Sequence, residues 1–121
     1  MVEYLFSYGT LQKDTVQLKL FGRLLTGTRD VLEGYKAISI EIKDESFLSK
    51  GEQKHQRIAT LSKDKKDRIE GTVFEVSEKE LLHSDGYEPN DYKRVKVMLA
   101  SGKQAWVYAA DKYLNAGSSK K

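Results

Sequence analysis

The stretch HSDGYEPNDYKRVKVMLASGKQAWVYAA, residues 83–110, reads as a helix end, an acidic turn and a β-hairpin in succession. RVKVMLA (94–100) and QAWVYAA (104–110) are rich in β-branched and aromatic residues and flank Ser101-Gly102, a hairpin signal. Upstream, Asp85-Gly86, Glu88-Pro89 and Asn90-Asp91 are turn chemistry. Pro89 is the chain's single proline, and it disfavours helical backbone at Glu88. The spacing therefore predicts a helix that stops at Asp85-Gly86, with a carboxylate aimed from a stiff corner into whatever the hairpin builds.

Working back toward the N-terminus, Ser77 and Glu80 form a capping-box pattern that opens this helix. IEGTVFEV (69–76) before it reads as a strand, with Gly71 marking a bulge or a close approach of another backbone. KDKKDR (63–68) is a charged turn, and RIATL (57–61) is a strand. The tract 43–56 is polar, either loop or one helical turn. VLEGYKAISIEI (31–42) predicts one strand kinked near Gly34, and Asp14 is placed to cap a short helix that ends at Gly22. VEYLFSY (2–8) is a strand that breaks at Gly9. Five or six strands and two short helices in mixed order imply an α+β fold with a small, curved, mostly antiparallel β-barrel. One domain over 1–114 and a disordered tail at 115–121 complete the expectation.

The totals narrow the function classes. The chain has 121 residues, 39% hydrophobic and 32% charged, a globular composition. With no cysteine there is no disulfide, no thiol nucleophile and no thiolate-bound metal; His55 and His83 are the only histidines. No metal and no cofactor are expected. No apolar run approaches the length of a membrane span, and Glu3 interrupts any secretory leader, so a cytoplasmic protein without membrane attachment is expected. The net charge of +3 comes from 21 basic against 18 acidic residues. The excess lies in 50–70, where acids are interleaved and no aromatic residue stands between Phe47 and Phe74 to stack on bases. Nucleic acid is not the expected partner.

Two stretches carry chemistry. YGTL (8–11) ends the first strand and presents successive backbone N–H groups unobstructed at Gly9, a potential anion nest. Taken alone, a plain strand-ending turn is the stronger reading. Glu88, flanked by Tyr87 and with Tyr92 nearby, is a potential shielded carboxylate with a raised pKa, as acid–base work at neutral pH requires. Taken alone, a solvated loop glutamate is again the stronger reading. No Ser-His arrangement competes, and Trp106 is expected in the core or barrel wall.

Together, the N-terminal strand ending in YGTL, the later IEGTVFEV, and SDGYEPNDYKRVKV followed by SGKQAWVYAA resemble the gamma-glutamyl cyclotransferase-like family. The resemblance spans about residues 2–110 and is greatest to small bacterial members related to gamma-glutamylamine cyclotransferases. Ser84 stands where many relatives have leucine and Pro89 where some have glycine, both leaving the glutamate in place. The resemblance implies a barrel of five or six strands with helices outside. It implies that Tyr8, Gly9, Thr10 and Leu11 bind the gamma-glutamyl moiety through backbone donors, that Tyr92 lines the pocket and that Glu88 is the general acid/base. The implied activity is conversion of a gamma-glutamyl amine or amide to 5-oxoproline and free amine. A non-catalytic small-molecule binding module on the same fold, and a nucleic-acid-associated domain using 50–68, are the alternatives; the region 43–68 matches no family motif.

Overall fold

The computed structural model describes residues 2–89 and 91–110. Its first strand, β1 (Val2–Ser7), ends in a continuous buried run from Leu5 to Ser7, so both of its faces are covered. Leu5 and Phe6 point to opposite faces, as the two-residue strand period requires, and belong to two different hydrophobic clusters. A 3-10 turn (Thr10–Gln12) follows, then α1 (Asp14–Phe21). Asp14 lies in the first turn of α1 rather than at its cap, which Lys13 occupies without a side-chain bond. Gly22 closes the helix at φ +73°, its N–H bonding to Leu18 O, because only glycine takes that backbone at no steric cost.

β2 (Thr26–Glu33) and β3 (Tyr35–Glu41) are two halves of one run bent at Gly34, whose φ is +80°. The kink expected from sequence is there, but the run begins at Thr26 instead of residue 31. β2 pairs antiparallel with β5 (Arg68–Ser77), and β3 pairs antiparallel with β4 (His55–Leu61). Gly34 sits opposite the charged excursion 62–67, donating to Asp67 O at 2.8 Å and accepting from Ser62 N at 2.9 Å. Between β3 and β4 lies α2 (Glu45–Leu48), a single turn capped by Asp44.

β1 pairs antiparallel with β5 on one side. Gly71 of β5 faces this seam: a Cβ there would lie 2.4 Å from Ser7 O and 2.8 Å from the Phe6 ring, so close approach is the reason for the glycine. α3 (Glu78–Tyr87) opens with the expected capping box, Glu80 N donating to Ser77 Oγ at 3.0 Å and Ser77 N to Glu80 Oε1 at 2.9 Å. β6 (Tyr92–Met98) and β7 (Gln104–Ala110) form the expected hairpin. The strand order β2-β5-β1-β7-β4-β3, with β6 on the outer flank of β7, joins four antiparallel and two parallel pairings. This is the predicted α+β, mostly antiparallel, curled barrel, counting the bent β2–β3 run as one of six strands.

Phe6, Leu32, Ala59, Ile69, Val73 and Val107 fill the inside of the curl. Leu5, Val16, Phe47, Phe74, Leu81 and Tyr87 fill the layer between its outer face and the helices. The tail 115–121, expected to be disordered, lies outside the described residues. Among the described residues no helix is long and apolar enough to cross a membrane.

Candidate functional site

The site begins where two strands part. β7 holds β6 along one edge. Its other edge pairs first with β1, at Leu5 with Trp106 and Phe6 with Val107, and then with β4, at Ala59 with Ala109. Both pairings are parallel. Tyr8, the first residue beyond β1, fills the fork between them. Its buried hydroxyl donates to Tyr108 O at 2.7 Å and accepts from Ala59 N at 2.8 Å, replacing the ladder bonds that the fork forfeits. Burial, above all, drives the Tyr8 pKa upward, so this hydroxyl stays protonated as a structural donor. A departure of neighbouring strands at the carboxyl end of a parallel pair is where open sheets form crevices for ligands.

Held by Tyr8, the chain peels away through Gly9 into the 3-10 turn. The bonds of the turn are made by the N–H groups of Gln12 and Lys13, to Gly9 O and Thr10 O. The N–H groups of Thr10 and Leu11, the first two of the turn, have no partner within it, as at any helix start. A Cβ added at Gly9 would meet no protein atom within 4 Å, so the backbone there is open to an incoming group.

From the other side comes the end of α3. The helix does not stop at Asp85-Gly86 as the turn signals predicted; it runs to Tyr87. Tyr87 is buried, with its ring edge-on to Phe47 at 5.8 Å between centroids, and this packing carries the helix past the glycine. Pro89 is what ends it. Glu88 is the C-cap, with extended φ −73° and ψ 145°, its N–H bonding to Ser84 O at 3.1 Å. Lys50 supports the same helix end, its ammonium donating to Tyr87 O at 3.3 Å.

One pocket is lined by Tyr8, Gly9, Thr10, Leu11, Glu88 and Tyr92, so all six residues singled out in the sequence meet there. Its cavity is narrow, about 40 Å³, and opens to solvent at its mouth. Phe47, Gln56, Arg57, Pro89 and Tyr108 are among the other residues of its wall. Arg57 donates to Tyr8 O at 3.4 Å and lies 5.8 Å from the Tyr8 ring centre, while Tyr92 Oη donates to Arg57 O at 2.6 Å. The loop, the strand β4 and the hairpin are thereby tied together around the cavity.

Glu88 has no ion-pair partner among the described residues. Burial of its carboxyl pushes its pKa from the ordinary 4.5 up to about 8; the nearby Glu52 charge adds to the rise and Lys50 opposes it. Tyr8, Tyr87, Tyr92 and Tyr108 all lie within electrostatic reach of Glu88 and all have pKa values driven upward, chiefly by burial. Four neutral phenols thus surround the carboxyl, where the sequence suggested two. Tyr87 also hydrogen-bonds Glu52, which ties the helix end to the 49–57 segment. Among the described residues no three of His, Asp and Glu cluster as metal ligands.

This joint geometry agrees with a profile of gamma-glutamyl cyclotransferase, AIG2-like proteins, which matches residues 5–120. The chain belongs to that family. A protein from Arabidopsis thaliana solved in solution superposes with a TM-score of 0.68 at 23% identity, over 91% of this chain and 62% of the other. A second Arabidopsis thaliana protein gives 0.74 at 18% identity, over 99% and 76%. A structure titled gamma-glutamyl cyclotransferase gives 0.64 at 16% identity, over 94% and 69%. These likenesses establish a shared fold. The chain spans about 62% of the length of the first of them. No curated protein sequence matches at a comparable level.

Several lining residues of this gamma-glutamyl cyclotransferase-like chain carry no local signal. Arg57 opens an ordinary strand segment, and Tyr108 is one aromatic in an alternating strand. Their role depends on the fork in the sheet, which no local window contains. Trp106, expected in the core or barrel wall, lies part-exposed on the outer face of the wall, donating from Nε1 to Glu3 Oε1 at 3.0 Å.

Proposed function

We propose that the pocket converts gamma-glutamyl amines or amides into 5-oxoproline and the free amine. The observation that carries this reading is a buried carboxyl, its pKa pushed up to about 8 and without an ion-pair partner among the described residues, in the same pocket as the 8–11 loop, whose Thr10 and Leu11 N–H groups are not used within the 3-10 turn. The α-amine of the substrate attacks its own γ-carbonyl. The new N–C bond closes a five-membered lactam while the γ C–N bond to the leaving amine breaks. Because the nucleophile is part of the substrate, effective molarity supplies much of the rate and no protein nucleophile is needed. Glu88 takes the proton lost by the α-ammonium and returns it to the departing nitrogen, ending the cycle unchanged. A carboxyl whose pKa lies near the working pH can both accept and return the proton.

The Thr10 and Leu11 N–H groups, with Arg57 at the wall, are suited to the substrate α-carboxylate or to the oxyanion that forms on the γ-carbonyl oxygen. Tyr92 lines the same pocket, its hydroxyl donating to Arg57 O. The reading entails a small-molecule substrate, no cofactor or metal, a single domain over 1–114 and a cytoplasmic setting.

The test is release of 5-oxoproline from a panel of gamma-glutamyl amines, measured beside ligand affinity. Turnover with kcat/KM rising as pH approaches 8, as the basic form of Glu88 becomes populated, is expected. Binding without any 5-oxoproline would leave a binding module in place of an enzyme.

A further inference from the structure

Among the described residues, the pocket wall holds two charged side chains: Arg57 from β4 and Glu88 at the end of α3. The proposed reaction gives Glu88 its task and leaves open which anion Arg57 meets. The two are not paired with each other, and no ion pair among the described residues includes either of them. Lys50, Glu52 and Asp85 act on Glu88 electrostatically and are not part of this wall. The wall itself therefore presents one cation and one acid, standing apart.

Arg57 is held at the root of the loop. Its backbone is fixed by the Tyr92 hydroxyl, which donates to Arg57 O at 2.6 Å. Its Nη1 donates to Tyr8 O at 3.4 Å, and the guanidinium carbon lies 5.8 Å from the Tyr8 ring centre. Tyr8 O belongs to the peptide unit that leads into Gly9, so the cation stands beside the backbone that carries the Thr10 and Leu11 N–H groups. The bond to Tyr8 O uses one of the five donors of a guanidinium. The others lie in a planar fork that suits two coplanar carboxylate oxygens. An α-carboxylate presents two such oxygens. The oxyanion formed on the γ-carbonyl is a single oxygen, and backbone N–H groups suffice for it.

We propose that Arg57 anchors the substrate α-carboxylate and so makes the pocket selective for a complete α-amino-acid head. The inference rests on the reading of the pocket as a gamma-glutamyl site. The α-carbon carries both ionic groups of that head. A pocket for it needs a receptor for the carboxylate and an acceptor for the ammonium proton, in one cavity and without cancelling each other. Arg57 and Glu88 meet that need. The product 5-oxoproline has lost the ammonium and kept the carboxylate, so it keeps the Arg57 contact. Arg57 is exposed, so the contact changes affinity by about ten- to thirtyfold, the low end for a charge-assisted hydrogen bond.

The test removes the carboxylate and the guanidinium in turn. The ligands are 5-oxoproline and pyrrolidinone, the same lactam without its carboxylate, titrated calorimetrically into the full chain. The substrates are gamma-glutamyl-ethylamide and gamma-aminobutyryl-ethylamide, which close to those two lactams with release of ethylamine. The parent should favour the carboxylate-bearing member of each pair by about ten- to thirtyfold, in affinity and in kcat/KM. Arg57→Gln should abolish that preference while leaving pyrrolidinone affinity unchanged, and Arg57→Lys should keep part of it. A preference that survives Arg57→Gln, an equal loss for both lactams, or no binding of 5-oxoproline to the parent overturns the assignment. Arg57-dependent binding of 5-oxoproline with no lactam formed from either amide upholds the anchor and removes the catalytic reading. Lactam formation whose carboxylate preference is indifferent to Arg57→Gln does the reverse.

Discussion

Asp85 and Glu88 are three residues apart at the end of one helix, and the fold gives them opposite acidities. Burial pushes both upward. At Asp85 the bidentate Arg94 and the Tyr108 hydroxyl outweigh it and hold the carboxyl below its usual range. At Glu88 nothing outweighs it, Glu52 reinforces it, and the pKa reaches about 8. A pair of neighbouring acids driven apart in this way is the pattern of a division of labour, one structural anion and one proton carrier. The lesson is that the acid with the better partners is the less able to move protons.

The largest effect that sharpens this contrast is on turnover. Glu88→Gln keeps size and removes proton transfer, so 5-oxoproline formation should fall by about two to four orders of magnitude. Substrate affinity should change far less, because the loop donors remain. Retained turnover would take Glu88 out of the chemistry.

The same carboxyl should leave a mark on stability. Its folded pKa, about 8, exceeds its ordinary 4.5. The folded chain therefore binds the proton more tightly than the unfolded one. That contribution is complete below pH 4.5 and is lost as pH rises to 8 and beyond. Urea denaturation at pH 5 and pH 9 should show Glu88→Gln gaining on the parent at the higher pH, on the order of 1–3 kcal/mol. A difference that does not vary with pH would mean that Glu88 titrates normally.

A smaller loss is expected at the other acid. The Arg94 and Asp85 side chains are 21% and 36% exposed, so their pair is only partly desolvated. Arg94→Met should cost about 1–2 kcal/mol in denaturation, above a surface pair and below a fully buried one. It should also raise the Asp85 pKa toward the ordinary value and narrow the gap to Glu88. No change in stability would reduce the Arg94–Asp85 contact to a surface pair.

How much of this was legible depended on where each signal lies. The YGTL loop, the capping box, the Gly34 kink, the Gly71 close approach and the final hairpin are local, and each was readable because one residue type answers one backbone demand. The start of β2 was not: residues 26–29 are exposed and polar, and only pairing with β5 makes them a strand. Gly86 misled because the burial of Tyr87 overrides the turn preference of Asp-Gly. Glu88 was readable as a candidate with a raised pKa from Pro89 and the flanking tyrosines, whereas the reinforcing charge of Glu52, from a distant part of the chain, was not. Arg57 is likewise plain in the sequence, and its place in the pocket is made by the fork between β1 and β4; Arg94 meets Asp85 only where β6 returns past the end of α3.

The contrast between the two acids can be read without any substrate. Carbon-13 NMR of the side-chain carboxyls, followed from pH 2 to pH 10, titrates Asp85 and Glu88 in one sample. The account predicts a Glu88 midpoint near 8 and an Asp85 midpoint below the usual aspartate range. Two midpoints near 4 would contradict it, because Glu88 would then be an ordinary solvated carboxylate with no more claim to proton transfer than its neighbour.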